Sequence, residues 1–189
     1  MRRSIWLLAV AVLGLGGCLL KPFTPVPSPD YTVEERWAVL DTDSLTLFVR
    51  PQAYSGDARS VASNFFTVYL QVKNKSAQPL SLSRGGFSVT VNQQQFDHIP
   101  LSIVLGSLQS GYYLDQYDDP FEPVTPELQD QALERARTQY FELVNSYFSF
   151  GDILPGGMKQ GYLFYDHQIG GAQGFEFNAL GASIRYLRR

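Results

Sequence analysis

The stretch that decides the fold is NFFTVYLQVKNKSAQPLSLSRGGF, residues Asn64 to Phe87. In its first half apolar and polar residues alternate, and a period of two with aromatic and β-branched residues is typical of a half-buried strand. One face of this strand comprises Phe66, Val68, Leu70 and Val72. A turn over 74–79 follows, and Gly85-Gly86 interrupts the alternation before it resumes at Phe87. Three strands with one apolar face each need a second sheet to cover them.

Similar short runs lie on both sides of this stretch. Upstream, Trp37 and Leu45 open alternating runs, and Pro51 ends the second because proline cannot continue a hydrogen-bonded ladder. The polar segment 52–63 that follows is predicted to be a loop. Downstream, Gly161 to His167 alternates again, and further strands are expected around Phe175 and Ile184. We expect one core to contain Val68, Leu70, Val72, Phe87, Val89 and Phe164.

A block at about residues 97–150 interrupts this regular spacing. From Thr125, apolar residues fall three or four apart as far as Phe148, which predicts one amphipathic helix of about six turns. Thr125 is its expected N-cap, Pro126 its first residue and Gly151 its end. The segment 99–108 fits either a helical turn or a strand, and the segment 110–124 is predicted to be an aromatic and acidic loop. We expect the helix to cover an open edge or end of the two sheets. The stripe of this helix consists of Leu128, Ala132, Ala136, Tyr140, Leu143, Val144, Tyr147 and Phe148.

The N-terminus has the pattern of a secretory leader. Arg2 and Arg3 precede the apolar run Ile5 to Leu15, which has the length of a signal-peptide core and is short of the roughly 20 residues of a membrane-spanning helix. Leu15-Gly16-Gly17-Cys18 follows and resembles a bacterial lipobox, in which cleavage after Gly17 leaves Cys18 to accept lipid on its thiol. The alternatives are an ordinary signal peptide, or an uncleaved anchor, with an incidental cysteine.

The lipobox resemblance implies an exported protein anchored to the cell membrane or outer membrane through lipid on Cys18. Leu19 favours the outer membrane in an organism with two membranes, because Asp at that position is the best-known retention signal for the inner one. The predicted organisation is a signal peptide over 1–17, a lipidated tether over 18–34 and one domain over 35–189. Four prolines between Pro22 and Pro29 predict a semi-rigid tether that cannot pair into a sheet. Such a tether would hold the domain roughly 30 Å off the bilayer.

Two motifs resemble those of small bacterial immunoglobulin-like lipoprotein domains, which include the immunoprotective-extracellular type and its relatives of unknown function. The first is V-x-L-x-V-x-N-x-S-x-x-P-L at Val68 to Leu80, and the second is Leu154-Pro155-Gly156 with Gly161-Tyr162-Leu163-Phe164. This resemblance implies a mainly β protein, an immunoglobulin-like antiparallel β-sandwich with one amphipathic helix inserted between strands. It implies no catalytic residues, and the block at 97–150 departs from the pattern of these domains.

Composition bounds the class of protein and of partner. Aromatic residues make up 14% of the 189 and charged residues 17%, which indicates a globular chain. The net charge is -3, and without Arg2 and Arg3 it becomes 13 basic minus 18 acidic residues, or -5. A mildly acidic protein is not expected to bind nucleic acid. We expect no cofactor, since no phosphate-binding glycine loop occurs.

Few residues suggest catalysis or metal binding. Asp166 and His167 are neighbours on a predicted strand, so their side chains should point to opposite faces and cannot act as a catalytic pair. His98 has no visible partner. Two histidines and one cysteine make a zinc or other transition-metal site unexpected.

Four carboxylates in the predicted loop allow two further interpretations. Asp115, Asp118, Asp119 and Glu122 could supply oxygen ligands to calcium, but their spacing does not match a calcium-binding loop. A solvated acidic loop explains them better, and added calcium is not expected to change stability. The same carboxylates could alternatively serve as acid and base of an envelope hydrolase.

The functional prediction is a non-catalytic binding or assembly module of the cell envelope, and the alternative is the hydrolase. Loops on rigid scaffolds often hold binding residues, and aromatic side chains are favoured in binding hot spots. The predicted binding surface, for an envelope protein or a glycan, consists of Tyr112, Tyr113, Tyr117 and Phe121. The alternative for these aromatic residues is that they pack inward against the core.

Overall fold

The computed structural model describes residues 21–115 and 126–189. Its strands are β1 Phe23–Pro25, β2 Thr32–Glu34, β3 Trp37–Asp41, β4 Leu45–Pro51, β5 Phe65–Asn74, β6 Leu80–Leu82, β7 Phe87–Val91, β8 Gln94–Asp97, β9 Gly151–Ile153, β10 Met158–Asp166, β11 Gly174–Ala179 and β12 Ala182–Arg188. Its helices are α1 Arg59–Asn64, α2 Leu101–Asp115 and α3 Pro126–Ser146. Two short 3-10 helices cover Arg84–Gly86 and His167–Gly171.

Ten of these strands form two antiparallel five-stranded sheets. One has the order β1-β12-β11-β7-β8, and the other has the order β10-β5-β4-β3-β2. The remaining two strands, β6 and β9, pair with each other. Side chains from both large sheets form a single buried cluster, to which β5 contributes Leu70 and β11 contributes Phe177. The prediction of a mainly β, antiparallel protein is therefore confirmed.

The strand β5 has the place that its alternating sequence predicts. It pairs with β4 on one side and β10 on the other, so that Leu70 lies opposite both Val49 and Gly161. Val68, Leu70 and Val72 are fully buried in the cluster between the sheets. Burying one face of an alternating strand fixes its register, because a one-residue slip would turn every apolar side chain outward.

Phe164 does not lie in the core predicted for it, and that part of the prediction is wrong. Every residue from Gly161 to Tyr165 on β10 is buried, because the strand is covered on both faces. Leu163 and Tyr165 point into the cluster between the sheets. Phe164, one residue out of phase, points to the opposite face and packs in a second cluster beneath the helices.

The second cluster attaches the helices to the outer face of β10. Val61 from α1, Val104 from α2 and Leu143 from α3 are all fully buried in it. The helix α3 begins at Pro126 and has 21 residues, which is close to the six turns predicted. Gly151 was predicted to end this helix, and that prediction is wrong, because Gly151 is the first residue of β9.

The segments flanking the helices also complete the exposed edge of β10. This strand is the outermost of its sheet. The amide of Ile99 donates to the carbonyl of Phe164 at 2.7 Å, and the amide of Phe148 donates to the carbonyl of Tyr162 at 2.9 Å. The segments that flank the helices thus cover an open sheet edge and remove a site at which another chain could pair, whereas the helix predicted to cover that edge packs on the outer face of β10.

The proline-rich segment contradicts the prediction that it cannot pair into a sheet. Phe23–Pro25 is β1, which pairs with β12, and Thr32–Glu34 is β2, which pairs with β3. Tyr31 between them is buried, and its hydroxyl donates to the carbonyl of Val26. Both strands lie at sheet edges, where proline is tolerated because one side of the strand needs no donor. A free tether therefore cannot extend to residue 34.

Two segments predicted to be loops contain helix. The helix α1 occupies the last residues of the polar segment 52–63 and ends at Asn64. The helix α2 begins at Leu101 and includes residues 110–115, which were predicted to belong to a loop. Over the residues that the structure describes, no helix combines the length and the apolar character needed to cross a membrane.

Candidate binding surface

The three helices, here called the helical layer, are fixed to the sheet by aromatic contacts. Tyr147, just after α3, stacks parallel to Phe164 with ring centroids 5.9 Å apart. Its hydroxyl donates to the carbonyl of Ile99 at 3.2 Å. Burial raises the pKa of Tyr147 above its ordinary value, so the hydroxyl still donates at pH values where an exposed tyrosine would ionise. The end of α3 and the start of α2 are thus held together.

The loop before α1 is attached to α3 by its backbone. The amide of Asp57 donates to the carboxylate of Glu142 at 3.1 Å, and the side-chain amide of Gln139 donates to the carbonyl of Asp57 at 3.4 Å. Gly56 permits this approach, because a Cβ there would lie 2.4 Å from the Glu142 carboxylate and 2.3 Å from the Tyr54 hydroxyl. The helical layer therefore presents its outer side on a rigid support.

The outer side of the helical layer exposes large apolar side chains. We call them the outer apolar face, and they are Ile103 at 59%, Leu133 at 63%, Tyr140 at 46% and Phe141 at 54% exposure. Leu133 and Tyr140 are seven residues apart and so share one side of α3, while the rings of Tyr140 and Phe141 meet edge to face at 5.6 Å. Among the residues whose side chains the structure describes, the other exposed large apolar side chains are Val33, Leu154 and Met158. Exposed large apolar side chains that lie together, as Tyr140 and Phe141 do, are typical of interaction sites.

Tyr140 does not lie on the inner side of α3, where the helical pattern predicts it, and the predicted stripe does not include Leu133 or Phe141. The predicted stripe assigned Tyr140 to the inner side with Leu143, yet Tyr140 is half exposed. Leu133, seven residues before Tyr140, lies on the same side of α3, and Phe141 lies about 100° further around the helix. A helix with apolar residues on both sides has one face for the core and another that needs a different partner.

The predicted aromatic surface is only partly within the described residues. Tyr112 and Tyr113 lie in the last turn and a half of α2 and not in a loop, so that assignment is wrong. The apolar run from Leu101 continues as a helix to Asp115 with no proline to stop it, and Gly106 and Gly111 within it do not end the helix. Tyr117 and Phe121 lie outside the described residues, and the binding role of all four stays a prediction.

The acidic candidates are in the same position. Asp115 is the last residue of α2, while Asp118, Asp119 and Glu122 lie outside the described residues. Within residues 21–115 and 126–189, no group of three or more histidine, cysteine or acidic side chains could hold a metal ion. The hydrolase and the calcium interpretations therefore stay predictions. Cleavage after Gly17 and lipidation of Cys18 also stay predictions, because both residues lie outside the described residues.

Asp166 and His167 are closer than predicted. The strand ends at Asp166 and a 3-10 helix begins at His167, so the two side chains do not alternate across a sheet. The His167 Nδ1 lies 3.4 Å from the Asp166 carboxylate, which also accepts from the amide of Gln168 at 2.9 Å. Both side chains are substantially exposed, so the carboxylate serves as a helix cap.

His98 is a half-buried histidine without polar partners among the described residues. Its ring packs against Phe150 at 4.9 Å, and neither ring nitrogen has a hydrogen-bond partner there. Burial lowers the pKa of His98, and the positive charge of Arg84 lowers it further. The ring is therefore neutral at neutral pH and is not oriented as a general base would be.

Comparison with family models, with curated proteins and with solved structures gave no match to this chain. Its function is therefore inferred from its own side chains, and of these the outer apolar face is the feature that the fold leaves without a partner in the described part.

Proposed function

We propose that this protein is a lipid-anchored cell-envelope protein that acts as a non-catalytic binding or assembly module. The observation that supports the binding role is the outer apolar face. Its side chains are exposed on helices that other, buried residues fix to the sheet. Exposing them to water is unfavourable, and a partner that covers them would recover that free energy.

The proposed fold is an immunoglobulin-like sandwich. Its support is the pair of antiparallel sheets around one core, together with contact between the two motifs that resemble such domains. Asn74 of the first motif donates through its side-chain amide to the carbonyl of Ile153 at 2.9 Å. Its own carbonyl accepts from the amide of Gly156 in the second motif at 3.1 Å. The motifs therefore occur together because they build one buried junction.

The proposed anchor is lipid on Cys18, supported by the leader and by Leu15-Gly16-Gly17-Cys18. Lipid chains give stable anchoring because each buried methylene contributes about 0.8 kcal/mol. Mass spectrometry of the mature protein should find an acylated Cys18 at the N-terminus. The variant Cys18→Ala should accumulate as unprocessed precursor, and a mature N-terminus elsewhere would refute the anchor.

The proposed partner of the outer apolar face is an envelope protein. Ile103, Leu133 and Phe141 offer no hydrogen bonds, whereas a glycan surface consists largely of hydroxyl groups that need them. Protein interfaces, in contrast, bury aromatic and aliphatic side chains at their centre.

This binding role can be tested with the double variant Leu133→Ser and Phe141→Ser. Both positions are exposed, so the melting temperature should change little, while recovery of proteins cross-linked to the anchored chain in membranes should fall. The matched control is Leu154→Ser, which removes an equally exposed leucine in the turn before β10. Equal recovery from the double variant and the control would refute the outer apolar face as a binding site.

A further inference from the structure

A cleft of about 700 Å³ opens at one end of the two sheets, next to the first described residues. It lies where β4 and β12 end and β5 begins, and Pro22 and Phe23 form part of its wall. Four of its lining residues have basic side chains, here called the basic end face, and they are Arg36, Arg50, His167 and Arg188. No aspartate or glutamate lines the cleft in the described part of the chain, not even Glu34 and Glu35, the sequence neighbours of Arg36.

The arginines of the basic end face are not neutralised by the protein that surrounds them. Among the described residues the ion pairs are Lys75–Asp41, Arg137–Glu134 and His167–Asp166. None of these involves an arginine of the cleft. Three positive charges therefore face the cleft without a carboxylate partner in the described residues, in a protein whose net charge is negative.

Two of these arginines are held in place by neutral groups. The Arg50 guanidinium lies 4.3 Å from the centre of the Trp37 ring and donates to the side-chain oxygen of Gln52. Arg188 lies 4.1 Å from the centre of the Phe23 ring and donates to the main-chain carbonyls of Gly170 and Ala172. Ring faces and carbonyls orient a guanidinium without cancelling its charge. Arg36, in the turn between β2 and β3, is exposed.

The position of the cleft limits what can occupy it. Cys18 precedes Pro22 by four residues, and a fully extended chain advances at most about 3.6 Å per residue, so the two are at most about 15 Å apart. Because β1 begins at Phe23, a lipid on Cys18 would hold this end of the domain, and not its far end, beside the bilayer.

We infer that the basic end face binds the phosphate groups of anionic lipid headgroups, so that the domain rests on the membrane that holds its anchor. This inference rests on the proposed lipidation of Cys18. Guanidinium groups match phosphate oxygens in charge and in hydrogen-bond geometry, and juxtamembrane basic residues are attracted to anionic membrane surfaces. Docked in this way, the domain has a fixed orientation toward its partner.

The test uses the full-length acylated protein in vesicles, with a fluorophore on Gly171→Cys. Gly171 adjoins the cleft, is exposed and has open space where a side chain would be added. A quencher on the lipid headgroups then reports how near this end lies to the bilayer. A second label on Gly85→Cys marks the far end, because Gly86 accepts from Leu180, just beyond the end of β11 that is remote from the cleft.

In phosphatidylglycerol vesicles the Gly171→Cys label should be quenched strongly and the Gly85→Cys label weakly, and the difference should shrink in phosphatidylcholine. Arg36→Gln should lower the docked-to-free ratio about fivefold, since one basic side chain at an anionic surface contributes about that factor. The matched control Lys73→Gln removes a charge at the far end of β5 and should change nothing. Arg36 is exposed, so its variant keeps the fold, which an unchanged melting temperature would verify.

Three other results would each contradict a different part of this inference. Equal quenching in both lipids, or equal effects of Arg36→Gln and Lys73→Gln, would overturn the membrane contact while leaving the anchor intact. A melting temperature raised by glycerol phosphate without lipid-dependent quenching would assign the cleft to a free anion. An unacylated N-terminus in the mass spectrum would instead refute the anchor, and the placement of the cleft with it.

Discussion

Asn74 shows how one buried amide can join two distant parts of the chain. It is fully buried at the end of β5. Its side-chain nitrogen donates to the carbonyls of Gln78 at 2.7 Å and Ile153 at 2.9 Å, while its side-chain oxygen accepts from the amide and the hydroxyl of Ser76. A fully satisfied buried amide specifies a single arrangement, because every alternative leaves a polar group unpaired.

The first prediction is that Asn74→Ala destabilises the protein by about 3 kcal/mol, since each buried polar group left unpaired costs about 1–3 kcal/mol. Urea unfolding monitored by circular dichroism measures the change. The control is Asn145→Ala, which removes an exposed asparagine from α3 and should change the free energy of unfolding by less than about 0.5 kcal/mol. Equal losses from the two variants would show that the amide network contributes nothing.

His98 leads to a prediction about acid stability. Its folded-state pKa is lowered by burial and by Arg84, so below its ordinary value near 6.5 the unfolded chain binds more protons than the folded one. The stability is therefore fully present above that value and is lost as the pH falls toward the lowered folded-state pKa. The nearby Asp97 opposes this shift but does not reverse it.

The measurement is urea unfolding at about pH 7.5 and about pH 5.5. His98→Gln should lose less stability between the two than the wild type, because glutamine does not titrate. Asn145→Ala, which removes an exposed side chain that does not titrate, is the control and should lose as much stability as the wild type does. An unchanged acid loss in His98→Gln would exclude His98 as its source.

At the scale of the element, β10 depends on a glycine at the point where the chain crosses it. A Cβ on Gly161 would lie 2.7 Å from the carbonyl oxygen of Ser146 and 2.8 Å from the amide nitrogen of Phe148. Both atoms belong to the backbone that leaves α3, and a backbone cannot rotate away as a side chain can. The absence of a side chain at Gly161 is what lets that segment cover the edge of β10.

We predict that Gly161→Ala costs about 1–3 kcal/mol, as overpacking of a closely packed site does. It should also speed hydrogen exchange at Phe148, whose amide donates to Tyr162 across the crossing. Gly171→Ala offers a matched control, because an added Cβ there meets nothing within 4 Å. Normal protection of Phe148 in Gly161→Ala would contradict this account of the edge.

The sequence predicts best those strands and helices whose hydrophobic pattern arises from one buried face. The alternation in β5 and the period of α3 were both recognised, and β5 has nearly the predicted bounds, whereas α3 ends at Ser146, before Tyr147, Phe148 and the predicted end at Gly151. The strand β10 was predicted, but Phe164 was assigned to the wrong side because both faces of that strand are apolar. The strand β1 was missed, since pairing at a sheet edge overrides what its prolines indicate locally.

The site was less predictable than the fold for a related reason. A surface residue has no local signal that separates partner binding from inward packing, and Leu133 shows this, since nothing in its neighbours requires its exposure. The basic end face is less visible still, because Arg36 and Arg50 meet through the pairing of β3 with β4, and Arg188 joins them from the distant strand β12.

At the scale of the whole molecule, the two large sheets share one core and should unfold together. Leu70 is fully buried at its centre, and Leu70→Ala should destabilise by roughly 2–5 kcal/mol. Leu154→Ala, at 69% exposure, should cost less than about 0.5 kcal/mol. Thermal unfolding followed by near- and far-ultraviolet circular dichroism should show one coincident transition for each variant. Two separate transitions would mean that the sheets are independent units.

The pairing of the first strand with the last has a consequence for the order of folding. Thr24 in β1 bonds to Leu187 in β12, a separation of 163 residues. A chain that emerges from a ribosome or a translocation channel N-terminus first presents β1 early but must wait for its partner strand until almost all residues have emerged. During that interval β12 is missing from between β1 and β11, and the edge of β11 stays open. Contacts of such long range also slow folding, because a large loop must close before they form. A nascent chain is therefore most exposed to aggregation, and most dependent on chaperones, just before β12 appears.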